Sequence, residues 1–149
     1  MSEYHTPYRG GFVGAQHRFA LTVYFEDTDT AGVVYYANYL KFMERARSDM
    51  IRAVGVDQGA ALRSDGSAYF VTEVDIKYRK PARLGDDLIV VSTVEAVRAA
   101  SVDIHQQVMR GTEQLTDARV TAAYLDRDGR PQRQPRDWVE RFNSIMAGK

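Results

Sequence analysis

The chain reads as an α+β fold, an antiparallel β-sheet wrapped on one long helix, with a shorter helix closing the chain. Three observations predict it. Apolar residues alternate with a period of two from Phe19, recur every three or four residues from Tyr39 to Val54, and then fill four β-rich runs before a second helical stripe begins. A doubly wound α/β fold needs strands and helices in alternation, and this order lacks that. With 149 residues, one domain is expected.

Taken in order, residues 1–16 are rich in Gly, Tyr and polar groups without periodicity, and read as a flexible or loosely docked arm ahead of a domain over 17–149. Phe19, Leu21, Val23 and Phe25 then alternate with Ala20, Thr22, Tyr24 and Glu26, which places one row on the core side of a strand. Tyr39, Met43, Ala46, Met50 and Val54 form the stripe of an amphipathic helix, with Lys41, Arg45, Ser48, Asp49 and Arg52 on its other faces. Asn38 is placed to cap its start, and Gly55 stands where a left-handed residue ends a helix. Strands are expected at Tyr69 to Arg79, Asp87 to Arg98, Ser101 to Arg110 and Gln114 to Asp126, separated by RKPARLGD, AA, GTE and DRDG. After Pro135, Trp138, Val139, Phe142, Ile145 and Met146 give a short closing helix. One such sheet leaves an edge strand open, and pairing two copies edge to edge would cover it and form a cleft. A homodimer is therefore expected, with dimers pairing into tetramers.

Composition narrows the function. Lys plus Arg and Asp plus Glu number 20 each, so no excess of positive charge serves a nucleic-acid backbone or an anionic membrane. The opening stretch has no apolar h-region, and no apolar run is long enough to span a bilayer, so a cytoplasmic location is expected. There is no cysteine, which excludes thiol nucleophiles. The histidines His5, His17 and His105 have no metal-ligand spacing, and no G-x-S-x-G elbow is present, so neither a metal site nor a Ser-His-Asp hydrolase is expected.

The stretch DTDTAG, Asp27 to Gly32, lies just ahead of the long helix, whose first amide groups lack intrahelical partners and carry partial positive charge. Gly32 lets the chain turn and lets a ligand approach the main chain without a Cβ in the way. A carboxylate beside such amides can serve acyl transfer, the amides holding a carbonyl oxygen while the acid attacks or activates water. The same residues are also ordinary capping and turn residues, so a simple turn stands beside that reading. Arg79, Lys80, Arg83 and Arg98 stand near predicted strand ends, where they suit phosphates or merely solvent. Glu44, early in the helix, either lines a pocket, pairs with Arg45 or Arg47, or faces solvent.

The stretch YFEDTDTAGVVYYANYLKFMERARSDM, Tyr24 to Met50, resembles the signature of the 4-hydroxybenzoyl-CoA thioesterase family of hotdog-fold proteins, most of all its Tol-Pal-associated acyl-CoA thioesterase branch. The resemblance continues through FVTEVDIKYRKPARLGDDL and covers about residues 17 to 146. It implies that Asp29, rather than Asp27, is the catalytic carboxylate, acting as nucleophile or as general base. It also implies that the backbone amide of Tyr36 polarises the thioester carbonyl. Many members of that branch read V-Y-H at the end of this turn, where this chain has Tyr35 and Tyr36, and many carry tyrosine where Phe25 stands. Phe25 and Tyr36 match the hydroxybenzoyl enzyme instead. Glu44 corresponds to an acid that helps bind substrate there, and Arg98 to one cation of its CoA-binding run, followed here by Ala99 and Ala100.

The resulting expectation is an acyl-CoA thioesterase without metal or redox cofactor, its acyl group held in a dimer cleft lined by Phe25, Val34 and Tyr35. The acyl carrier is CoA or acyl carrier protein. Two alternatives stand beside it: a non-catalytic acyl-CoA-binding module, and an interaction protein of envelope or lipid-synthesis complexes that offers the apolar face of DWVERFNSIM.

Overall fold

The computed structural model describes residues 5–148. Residues 1–4 of the expected arm and residue 149 of the expected domain lie outside them. The elements run β1 (Gly11–Val13), β2 (Gln16–Thr22), α1 (Asn38–Ala53), α2 (Gln58–Asp65), β3 (Ala68–Tyr78), β4 (Asp87–Val97), β5 (Ser101–Arg110), β6 (Glu113–Leu125) and α3 (Arg136–Met146). The strands form one antiparallel sheet of six in the order β1-β2-β4-β5-β6-β3, and α1 lies across β2, β4 and β5.

The four later strands and the closing helix fall where the alternation and the Trp138 stripe put them. Four local expectations need correction. From Tyr8 onward the supposed arm docks: Gly11–Val13 pairs with β2, and the Tyr8 hydroxyl accepts from Ala20 N at 3.1 Å, covering a stretch of β2 edge that β1 does not reach. The first strand ends at Thr22 rather than running through Phe25, because Phe25–Asp27 tighten into a 3₁₀ turn whose opening amide, Tyr24 N, is capped by Asp27 Oδ2 at 2.9 Å. Asn38 is the first helical residue and Ala37 the N-cap, since the Asn38 side chain donates instead to Asp27 O at 2.8 Å. Asp49, expected on a polar face, is buried.

The core has two parts along α1. Tyr39, Phe42, Met43 and Ala46 pack with Val23, Val90, Val108 and Val120, while Met50 and Ile51 pack with Val94, Ile104 and the α3 residues Phe142 and Ile145. Each fully buried Phe or Met side chain contributes roughly 1.5–3 kcal/mol. Between the two parts, on the sheet's inner face, runs a buried polar row of cross-strand neighbours: His17 beside Ser92, and Ser92 beside Gln106. The helix answers it. Gln106 Nε2 donates to Met43 O and Ser92 Oγ, Gln106 Oε1 accepts from Arg47, and His17 Nε2 meets Asp49 Oδ2 at 2.8 Å.

On β3 the inner-face residues are those registered with buried positions of β6: Val71 with Ala122, Val74 with Val120, and Tyr78 with Thr116. All three are exposed: among the described residues β3 pairs with β6 alone at the edge of the sheet, and α1 covers this face only in part, through the Tyr39 and Tyr78 rings at 5.6 Å and through Ile76, which packs on the core. An apolar strip beside open backbone thus runs along this edge of the sheet.

Candidate active site

The loop from Tyr24 to Ala37 is fixed by main-chain bonds before any side chain is considered. Asp27 O accepts from Tyr35 N at 3.0 Å as well as from Asn38, so the loop closes back onto the start of α1. Inside it, Asp29 and Val33 bond through Asp29 N and Val33 O at 2.9 Å, and Gly32 takes φ +77°, a left-handed conformation that favours glycine. A Cβ at Gly32 would point into open space, which leaves room for a ligand against the main chain.

The two aspartates have different surroundings. Asp27 spends its carboxylate on the 3₁₀ turn. Asp29 accepts from Ala31 N through Oδ1 at 2.8 Å, while among the described residues Oδ2 has no partner, and the side chain is exposed. Both readings of DTDTAG are thus physically present: one oxygen shapes the turn and the other is available for chemistry. Beyond the turn, the N–H groups of Tyr36 and Ala37 have no acceptor among the described residues, at the positive end of α1.

Val34, Tyr36, Tyr39, Tyr78, Arg79, Lys80 and Pro81 line an open hollow of about 270 Å³ beside these amides. Of the expected site residues, Val34, Tyr36, Arg79 and Lys80 therefore converge. Tyr39 and Tyr78 were read only as core and strand residues, and the tyrosine directly before RKP was the one signal that could have pointed to the second. Tyr78 Oη donates to Tyr36 O at 3.1 Å, which holds the Tyr36 peptide from behind. Burial raises the Tyr39 and Tyr78 phenols, and the Tyr36 hydroxyl raises that of Tyr35, so all three stay protonated near neutral pH.

The cations divide. Lys80 bonds Glu113 at 2.8 Å and Arg79 approaches Asp117 at 3.7 Å, whereas Arg83 bridges to Val33 through its backbone and its guanidinium forms no salt bridge among the described residues. Arg98 does not join them: it pairs with Asp103 at 2.7 Å in a separate hollow on the outer face of the sheet. Glu44 also lies apart, accepting from Ser48 Oγ at 2.9 Å and bordering a small hollow with Arg47, Tyr69 and Val71. Phe25 is 81% exposed and Tyr35 48%, so in a single chain neither lines an enclosed cleft.

An antiparallel sheet laid over one long helix is the hotdog class of fold, and solved thioesterases share it. A mutant 4-hydroxybenzoyl-CoA thioesterase bound to 4-hydroxybenzoyl-CoA superposes at a TM-score of 0.79 with 19% identity, over 85% of this chain and 98% of its own. A probable thioesterase from Bartonella henselae gives 0.77 with 30% identity, over 80% and 99%. The sequence profile of the Thioesterase-like superfamily matches residues 23–142, and the chain belongs to that superfamily. The acyl-CoA thioesterase YbgC of Haemophilus influenzae is 40% identical over 108 residues, 72% of this chain and 79% of the relative.

Proposed function

We propose that the chain hydrolyses acyl-CoA thioesters to a free acid and CoA, with Asp29 and the amide of Tyr36 as its reacting groups. The observation that carries the reading is the free Asp29 Oδ2 on the same closed loop as two acceptor-free amides at the start of α1. The thioester carbonyl oxygen accepts from the Tyr36 N–H, whose bond strengthens as negative charge develops on that oxygen. Asp29 Oδ2 either attacks the carbonyl carbon or takes a proton from a water that does so. The C–S bond then breaks and the thiolate leaves as CoA, taking up the proton held by Asp29 in the water route or one from solvent in the attack route, where a water then hydrolyses the acyl–Asp29 anhydride to the free acid and restores the carboxylate. No metal or redox step is needed, and among the described residues no set of acidic or histidine side chains converges as metal ligands.

Panels of acyl-CoAs from acetyl to palmitoyl, with benzoyl and hydroxybenzoyl included, test this by free-thiol release. Release from at least one thioester that depends on Asp29 is expected. Ligand-induced thermal stabilisation without release would replace the enzyme by a binding module.

The working unit we propose is a cytoplasmic homodimer, able to pair into tetramers, built by joining the β3 edges of two copies. It is supported by the open backbone of β3 and by the exposure of Val71, Val74 and Tyr78 on its inner face. Joined there, the exposed Phe25, Tyr35 and Tyr36 rings would gain the second wall they lack. No helix among the described residues is long and apolar enough to cross a membrane. Val74→Lys places a charge in the middle of that strip. Light scattering is expected to show a wild-type mass of at least twice 16.8 kDa and a variant of 16.8 kDa with turnover reduced on the order of 100-fold or more. A variant that keeps both its mass and its turnover would move the interface elsewhere.

A further inference from the structure

The wall of the hollow opposite the acidic loop is the segment Arg79 to Asp86, and the two are stitched together by main-chain bonds. Val34 N donates to Ala82 O at 2.9 Å, and Leu84 N donates to Gly32 O at 3.0 Å. Pro81 fixes one φ and Asp86 closes one turn in RKPARLGD, but the segment belongs to no helix or strand, so the alignment of Gly32 and Val34 also depends on what holds it from behind.

Val23 holds the far end through Asp86 O and Gly85 N at 2.9 and 3.0 Å, and the Tyr39 hydroxyl accepts from Ala82 N at 2.9 Å; two further features hold the segment from the β5–β6 turn. The pairing of β5 with β6 slips between Val108 and Met109, so that Thr116 and Gln114 face successive β5 residues and Leu115 is left over as a bulge. The Leu115 carbonyl accepts from both Arg79 N and Lys80 N, at 2.8 and 3.2 Å. Arg110 ends β5 on the row whose earlier members, Ile104, Gln106 and Val108, face the helix, and its guanidinium passes under the segment. Its Nη1 donates to Asp86 Oδ2 at 2.8 Å and to Pro81 O at 3.2 Å, while Nε and Nη2 hold Glu113 at 3.0 and 2.6 Å. Asp86 Oδ2 accepts in turn from Arg83 N at 2.8 Å, which curls the segment around its own carboxylate. This five-donor fork is geometry that only arginine supplies.

We infer that Arg110, acting through Asp86 and Pro81, is a positioning residue that holds Arg79–Asp86 against the loop carrying Asp29 and Tyr36, and so sets their alignment for the reaction. This rests on the thioesterase reading for its kinetic effect, though not for its mechanical one. Arg110 touches no reacting atom. It acts two bonds away, through a segment whose displacement by about an ångström is enough to misalign an attack.

The test compares Arg110→Gln, Asp86→Asn and their double variant with wild type. Hydrolysis of the best acyl-CoA gives kcat and KM, melting gives stability, and hydrogen exchange is followed over residues 30–38. The expected result is a fall in kcat on the order of 10- to 100-fold in each single variant with KM within about twofold. The double variant should be no slower than the worse single, since both cut one linkage. Exchange over 30–38 should quicken while that of β4 does not. Arg110→Lys, which keeps the charge without the fork, should recover only part of the rate. Arg119→Gln, which breaks the 3.1 Å pair with Glu95 on the outer face, should leave kcat unchanged. Wild-type kcat and exchange in the variants would overturn the inference, as would additive losses that simply follow the melting temperature. Exchange needs no turnover, so the two readings fail separately. An inactive wild type whose variants still loosen over 30–38 refutes the thioesterase alone, and an active wild type whose variants do not loosen refutes the clamp alone.

Discussion

Asp29→Asn should melt at the wild-type temperature and lose about two to four orders of magnitude in kcat, the usual range for removing a carboxylate that moves a proton or attacks. The fold is spared because the amide oxygen of asparagine can still accept from Ala31 N, the bond that shapes the turn. The charge on the other oxygen is lost, and with it the ability to activate water or to attack. Asp27→Asn is the informative neighbour. Its side-chain oxygen can still cap Tyr24 N, so its loss of rate should be far smaller than that of Asp29→Asn. Equal losses in the two variants would mean that charge near the helix start, rather than a particular carboxylate, matters. Single turnover in ¹⁸O-water gives a one-sided mark: label in the Asp29 side chain shows attack by the carboxylate, with the anhydride opened at its aspartyl carbon, whereas label confined to the released acid is the outcome shared by activated water and by opening at the acyl carbon.

Periodicity made some parts of this chain legible and left others dark for physical reasons. Helix α1 and strands β4 to β6 could be read because their burial follows a regular period over ten or more residues, and β3 because its sequence is rich in β-branched and aromatic residues although its burial has no period. Strand β1 has three residues and two of them are exposed, so it carries no period to read. Helix α2 has no buried residue, and its apolar pattern is correspondingly faint. The acidic loop stood out because its residue types are chemical as well as structural, and the convergence of Val34, Tyr36, Arg79 and Lys80 follows from Val34 bonding to the segment after β3. Arg98 misled because a strand-end cation looks the same from sequence whichever face it serves. Asp49 misled most. It follows the period of the core face, but a carboxylate there was assigned to solvent because its partner, His17, lies 32 residues away in sequence.

That pair gives the largest expected effect on stability. Asp49 Oδ2 accepts from His17 Nε2 at 2.8 Å and from Gly10 N at 2.9 Å, so one carboxylate ties the β1–β2 hairpin to the second half of α1. Asp49→Ala leaves the buried His17 donor and the part-buried Gly10 amide unsatisfied and should cost about 3 kcal/mol, or roughly 10 °C in melting temperature for a chain of this size. A shift under 2 °C would mean that water or a rotated side chain replaces the carboxylate at little cost. The pH dependence identifies His17. With Nε2–H given to Asp49, the neutral ring leaves Nδ1 buried without a partner among the described residues, and burial lowers the His17 pKa below its ordinary 6.5 against the opposing pull of Asp49. Just below pH 6.5 the unfolded chain therefore binds more protons than the folded one. The contribution is fully present above that value and is lost as pH falls below it toward the lowered pKa. Gln at position 17 can still donate to Asp49 but cannot titrate, so His17→Gln should flatten the decline in melting temperature below pH 6.5, while Asp49→Ala, which removes the opposing pull, should steepen it. An unchanged profile in both variants would assign the acid sensitivity to the surface carboxylates instead.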